Sequence, residues 1–332
     1  MERRGDAGAM PGEFSLIEQL FEPLAGPEGL SLQDDAAILS PRAGYDLVLT
    51  KDAIAEGRHY LLGDPAETIA KKLLRVNLSD LTAKGATPRG YLLSCAWSQE
   101  TSFDWMRAFA EGLKEDQAAF DIALWGGDTI RLDGPSVFTL TALGEVPIGQ
   151  MIQRGGAAPG DDLWVTGTLG DAALGLLIAT GEFAGGTQAD RDHLIGRYHI
   201  PEPPVTFGPH LRQVATAALD VSDGLLGDLE HLCRASKVGA EIVLEAVPLS
   251  RPMRACVGSV EAAFDYALTG GDDYQILFSA SASVRRDIER YAAEAGAVVC
   301  RIGSVTNCVN EIEVVGPDGN PRPFARHGFR HF

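Results

Sequence analysis

Residues 65–86, PAETIAKKLLRVNLSDLTAKGA, and residues 90–98, GYLLSCAWS, read as a helix followed closely by a strand. Asp64 stands ready to cap that helix, Pro65 suits its first position, and Glu67 completes a start resembling a capping box. Ile69, Leu73, Leu74, Val76, Leu78 and Leu81 spread around most of its circumference, which predicts a largely buried helix. Asn77, Asp80 and Lys84 fall at i, i+3 and i+7 and share one stripe. So little else on the central turns is polar that this stripe is expected to face a ligand cleft rather than bulk water.

Outward from this pair, helical and extended patterns keep alternating, which predicts a mixed α/β fold, mixed sheets flanked by helices. Before it, YDLVLT (45–50) reads as a strand; after it, FDWMRAFAEGLKEDQAAF (103–120) reads as a helix with Trp105, Phe109 and Leu113 on one face. IALWGGDT and SVFTLTALGEV follow as strands. The Gly-, Arg- and Pro-rich stretch PIGQMIQRGGAAPGDD, 147–162, is the best candidate boundary. Three parts are therefore expected: a tail over 1–12, an N-terminal domain over 13–148 and a C-terminal α/β domain over 149–332. The second half reads as strand LWVTG, helix DAALGLLIAT, strand ALDVS, helix DGLLGDLEHLCRAS and strands AEIVLEA and YQILFSA, joined by short helices.

The 332 residues suit about two domains. A formal net charge of −18 argues against nucleic acid or an anionic membrane as partner, since both need a basic face. No apolar run reaches the length of a membrane span, and the start MERRGDAGAMPGEF lacks the apolar core of a secretory signal, so a cytoplasmic location is expected. Cys95, Cys233, Cys256, Cys300 and Cys308 are scattered, with no metal-ligand spacing, and read as reduced thiols.

Carboxylates recur at the edges of apolar segments beside Gly, Ser or Thr: Asp34 and Asp35, Asp52, Asp80, Asp128, Asp220 and Asp223, Asp272 and Asp273. Each alone has an ordinary reading as a cap or turn residue, and for Asp223 the cap is the better one. Their recurrence suits magnesium, which prefers a few carboxylates together with phosphate oxygens and water. In LQDDAAIL, 32–39, the apolar flanks of Asp34 and Asp35 point to a core, so a positive partner is expected for the pair. VTGTLGDAALGL, 165–176, runs from strand through a Gly-rich turn into a helix, a weak phosphate signal. Neither a P-loop nor a dinucleotide fingerprint is present, so a bound nucleotide would depend on metal ions. Arg58 and His59 follow Asp52 in an expected loop where they could meet a phosphate; Ser222 lacks the context of a hydrolytic nucleophile.

In order, DDAAIL, TKDAIAEGRHY, NLSDLTAKGATPRGYLL, GGDT, RGGAAPGDDLWVTGTLGDAALGL, DVSDGLLGDLEHLCRAS, TGGDDYQILF and the terminal HGFRHF resemble the thiamine-monophosphate kinases of the aminoimidazole-ribonucleotide-synthetase-like superfamily. The resemblance implies a two-domain synthetase-like fold and direct, in-line phosphoryl transfer from ATP to thiamine monophosphate, giving thiamine diphosphate. It also implies several Mg2+ ions and a homodimer joined through the N-terminal domains. Carried over position by position, it makes Asp35, Thr50, Asp52, Asp80, Asp128, Asp220 and Asp223 magnesium ligands. Gly127, Asp128, Arg154 and Ser222 become ATP contacts, and His59, Asp272 and Phe329 contacts to the thiamine phosphate.

The chain departs from the family pattern at four places. Lys51 stands where a metal-binding Thr is frequent, so either that metal site differs or Lys51 itself contacts phosphate. Gln33 replaces Gly, Asp272 replaces Glu, and Ala110 stands where an aromatic can line the adenine site. Two other readings are a sister synthetase of the aminoimidazole ribonucleotide type and a nucleotide- and metal-binding protein without turnover.

Overall fold

The computed structural model describes residues 10–322. They form two compact units. One takes residues 10–42, Leu49–Asn77 and Pro88–Leu143; the other takes Ala43–Val48, Leu78–Thr87 and residues 144–322. The first half of the chain supplies α1 (Glu13–Leu16), β1 (Tyr45–Ala55), α2 (Ala66–Ala83), β2 (Thr87–Ser98), α3 (Phe103–Phe120), β3 (Ala123–Leu132) and β4 (Val137–Pro147).

These strands form one sheet in the order β1-β4-β2-β3. β2 and β3 run parallel, with Ser94 beside Asp128 and Cys95 beside Thr129. Side chains alternate across a strand. One face of this sheet therefore buries Leu93, Cys95, Trp97, Phe138 and Leu140, while Leu92, Ser94, Asp128 and Ile130 stand on the other. The buried face meets α3, as the aromatic pattern predicted: Phe109 lies 5.5 Å from Trp97 and 4.6 Å from Phe138 between ring centroids. Ser102 caps α3 by accepting the Trp105 N–H at 3.2 Å. Helix α2 is buried on nearly every side, including Asn77, Ser79 and Thr82.

The second half supplies β5 (Asp161–Thr166), α4 (Asp171–Ala179), α5 (Gln188–His199), α6 (Gly208–Leu211), β6 (Ala215–Val221), α7 (Leu225–Ser236) and β7 (Gly239–Val243). It continues through α8 (Arg251–Val257), α9 (Val260–Thr269), β8 (Gln275–Ser281), α10 (Arg285–Ala295), β9 (Val299–Thr306) and β10 (Ile312–Val315). The sheet order is β10-β7-β9-β5-β8-β6, with β10 and β7 parallel and the other pairs antiparallel. Leu163 and Val165 of β5 enter one core with Leu219, Leu229 and Ile242, while Trp164 enters another with Phe207, Phe278 and Ile288. Both faces of the sheet are thus covered, which is why the middle of β5 is continuously apolar. At the start of β5, Asp162 receives Arg285 at 2.5 Å and Arg301 at 3.2 Å, and the Arg285 hydrogen bond holds its carboxyl below the usual range.

Two expectations are corrected here. β1 continues past Thr50 to Ala55, so Asp52 lies within the strand rather than beyond its edge. Val48 and Ile54 are buried on one side and Lys51 is exposed on the other, a period-2 pattern that the charges at 51 and 52 hid from the sequence. Residues 33–39 form neither strand nor helix; Asp34 and Asp35 are exposed, and Ile38 is 65% exposed, so the apolar flanks do not lead to a core. The pair is exposed, so no buried charge has to be compensated. Among the described residues no helix is long and apolar enough to cross a membrane. All five cysteines are free thiols, three of them buried.

Two helix glycines should respond oppositely to alanine. A Cβ at Gly112 of α3 would fall on the Glu67 carbonyl of α2, whereas one at Gly196 of α5 meets nothing within 4 Å. Gly196→Ala is expected to raise stability by about 0.5–1 kcal/mol through helix propensity. Gly112→Ala is expected to lower it by about 1–3 kcal/mol, because backbone would have to move. Thermal unfolding of the two variants beside the wild type reads both signs.

Candidate active site

The first unit holds a cavity of about 740 Å³ on the outer face of its sheet. Asp34, Asp35, Lys51, Ser94, Gly127, Asp128, Thr139 and Thr141 line it, which places Asp35, Gly127 and Asp128 around one cavity. Thr50 and Asp52 are not among its lining residues, because they alternate with Lys51 along β1. The carboxylates are held locally: Asp34 Oδ1 accepts the Asp35 N–H at 2.8 Å, and Asp128 Oδ1 accepts the Thr129 N–H at 2.9 Å. Gly127 has a packing reason of its own, since a Cβ there would strike the Leu93 carbonyl. Cys95, beside Thr129 on the core face, is buried, and burial pushes its thiol well above the usual range, so it stays a neutral packing group. Ala110, placed by the resemblance near an adenine site, is buried on the core face of α3.

His59 sits in the turn after β1. Its Nδ1 accepts the Ala55 N–H at 3.1 Å, so in the neutral ring Nε2 carries the proton.

The second unit gathers a different set. Asp220 is the last residue but one of β6, and Ser222 and Asp223 follow the strand. Asp228 Oδ2, from the first turn of α7, accepts the N–H groups of both Ser222 and Asp223 at 3.0 Å. Burial lifts the Asp228 carboxyl to about 7; the two amides oppose this and the Asp223 carboxylate adds to it. α7 has no side-chain cap, so the cap role expected for Asp223 is not what the structure shows. Across this loop lies the segment before β8. Asp272 donates its N–H to the Ser222 carbonyl at 2.8 Å, and Tyr274 donates to Val221 O at 2.8 Å. Asp272 has φ of 76°, and Gly271 has no room for a Cβ against Ser222 O, so the resting place of Asp272 is tightly specified. The C-terminal end of α2 joins them through Ser79 Oγ, which donates to Tyr274 O at 3.2 Å.

Two cations accompany these acids. Lys84 donates to Ala218 O at 2.8 Å. Burial and the Arg154 guanidinium pull its ammonium below the usual lysine range, while Asp220 and Asp80 oppose them. Arg154 also bears on Asp228 and His231. The polar stripe of α2 is therefore mixed in character. Asn77 is wholly buried, its Nδ2 donating to Leu73 O at 2.9 Å and its Oδ1 unpartnered, while Asp80 and Lys84 belong to the charged cluster.

The Gly-rich turn before α4 already has its acceptor within the protein. Asp273, buried, accepts the Gly170 N–H at 2.6 Å and the Ala172 N–H at 3.4 Å, and Asp171 accepts hydroxyls from Thr168 and Ser250. The amides that suggested phosphate binding are spent on the Asp273 side chain, whose carboxyl burial pushes well above the usual range. Among the described residues no three His, Cys, Asp or Glu side chains converge on one metal position. The donors present are nonetheless hard oxygens in ones and twos, the pattern that fits magnesium completed by phosphate and water. Phe329 lies outside the described residues. Sequence reasoning missed Asp228, whose only signal was an acid in the first turn of a helix just after DVSDG.

Family models of AIR synthase related proteins match this chain, the N-terminal domain over residues 33–146 and the C-terminal domain over 158–315. The chain belongs to that family. Within it, the chain is 45% identical to the thiamine-monophosphate kinase of Caulobacter vibrioides over 303 residues, covering 90% of this chain and 85% of the relative, and so sits among the thiamine-monophosphate kinases. The crystal structure of thiamine-monophosphate kinase from Stenotrophomonas maltophilia K279a superposes with a TM-score of 0.83 at 40% identity, covering 94% of this chain and 98% of the other. A structure described as AaThiL complexed with AMPPCP and TMP gives 0.77 at 28% identity, covering 100% and 99%.

Asp228→Ala would leave two loop amides without their acceptor and is expected to cost about 2–4 kcal/mol. Asp228→Asn keeps an oxygen in place and should lose clearly less. Urea unfolding midpoints of the two variants give the comparison.

Proposed function

We propose that this protein transfers the terminal phosphoryl group of ATP to thiamine monophosphate, forming thiamine diphosphate and ADP. The observation that carries this reading is the agreement of fold and sequence, over nearly the full chain, with thiamine-monophosphate kinases, one of them described in complex with AMPPCP and TMP. In the reaction a phosphate oxygen of thiamine monophosphate attacks the γ-phosphorus in line as the bond to the ADP oxygen breaks. That oxygen is already nucleophilic, so no side chain is assigned as general base.

Asp35, Thr50, Asp52, Asp80, Asp128, Asp220 and Asp223 are the proposed magnesium ligands. Bound magnesium supplies the positive charge that lets two anionic phosphates approach each other. Gly127, Asp128, Arg154 and Ser222 are proposed to hold ATP. Asp228 supports this by fixing the Ser222 loop. His59, with its proton on Nε2, is proposed to donate to the phosphate of thiamine monophosphate, with Asp272 and Phe329 as further contacts. Pairing of two chains through the N-terminal domain, 13–148, is supported by Leu49, Leu92 and Ile130, which are 61%, 41% and 53% exposed on the outer sheet face. Work in the cytoplasm is supported by five thiols left unbridged.

Incubation with ATP, Mg2+ and thiamine monophosphate, thiamine or no acceptor should yield thiamine diphosphate and ADP in equal amounts from the monophosphate alone. ATP binding without that product overturns the kinase reading in favour of a sister synthetase or a binding protein. Asp80→Asn should lower turnover about a hundredfold or more while keeping the unfolding midpoint. Full activity would remove Asp80 from the metal set. His59→Ala should raise KM for thiamine monophosphate more than for ATP, and equal changes would remove it from the acceptor site.

A further inference from the structure

Among the described residues Lys51 is the one cation lining the first unit's cavity, where Glu13, Asp34, Asp35 and Asp128 all contribute carboxylates. It stands on the exposed face of β1, and its ammonium donates to Thr139 Oγ1 at 3.3 Å. An ammonium carries three donors, so two remain for another partner. Among the described residues Lys51 makes no ion pair with the neighbouring acids. Asp34 and Asp128 instead each engage a backbone amide. A positive group is thus set among carboxylates without being consumed by them. A polyphosphate entering this acidic space needs positive charge, and Lys51 is the fixed part of that supply.

We infer that Lys51 binds the phosphate chain of the nucleotide directly and lowers the magnesium needed for nucleotide binding. The inference rests on the kinase reading above and deepens it at one residue. A mobile ion and a tethered ammonium can neutralise the same phosphate oxygens, but only the ammonium is present at every metal concentration. Loss of the charge should therefore hurt most when magnesium is scarce. A purely structural lysine would show no such dependence.

Calorimetric titration with AMPPCP, without acceptor, over a series of Mg2+ concentrations tests this in the wild-type chain, Lys51→Thr and Lys51→Arg. The threonine keeps a hydroxyl near Thr139 and removes the charge. At the lowest magnesium Lys51→Thr should bind about tenfold more weakly than wild type. The gap should close as magnesium rises, and Lys51→Arg should stay near wild type. Equal affinity of Lys51→Thr and wild type at every magnesium concentration overturns the inference. So does a loss that is the same throughout the series. Failure of the wild type itself to bind AMPPCP overturns the kinase reading first and this inference with it, and the wild-type arm separates the two failures. Because Lys51 is exposed, its unfolding midpoint should not move; a lower midpoint with unchanged binding assigns it to structure and overturns the inference.

Discussion

Negative charge at the ends of apolar segments is the constraint around which this chain is arranged. Solvent, a cation or backbone N–H groups must answer each carboxyl, because an unanswered buried one is costly. The chain uses all of these solutions. Asp162, buried at the start of β5, is met by Arg285 and Arg301, and Asp116 of α3 is met by Arg75. Asp273 lies against the amides at the start of α4. These acids are structural. Asp34, Asp35 and Asp128 are instead left beside a cavity, and Asp80 and Asp220 share their surroundings with Lys84 and Arg154. Only the second kind is available to a ligand.

That division explains what was legible in the sequence. Long periodic elements were: α3 spans Phe103–Phe120 as read, and α2 is as thoroughly buried as its apolar residues implied. Local periodicity carries that information because it reports which side of an element faces the core. The end of β1 was not legible, since Lys51 and Asp52 look like loop residues until their opposite faces are seen. The surroundings of Asp34 and Asp35 were not legible either, because Ile38 gives the same letter exposed or buried.

The site residues divide in the same way. The resemblance supplied Asp35, Gly127 and Asp128, and the structure sets them around one cavity. It could not show that Gly127 is also required for β3 to lie against β2, or that the Gly-rich turn at 167–170 is occupied by Asp273. Both facts depend on residues far apart in sequence, 34 positions for Gly127 and Leu93 and 103 for Gly170 and Asp273. Asp228 was hidden differently: its contacts are only five and six residues away, but they are made to backbone amides, which leave no pattern in side-chain types.

The two compact units are interleaved along the chain, with Ala43–Val48 and Leu78–Thr87 belonging to the second although they lie between segments of the first. This imposes an order on biosynthesis. Those segments leave the ribosome before the strands and helices of residues 144–322 exist, so the second unit cannot close until translation is nearly finished. A nascent chain halted after β4 would carry parts of a core with nothing to pack against. The same interleaving makes simple gene fusion or truncation at the loop after β4 a poor way to exchange one half of this protein, since the cut would sever sequence halves that are not structural halves.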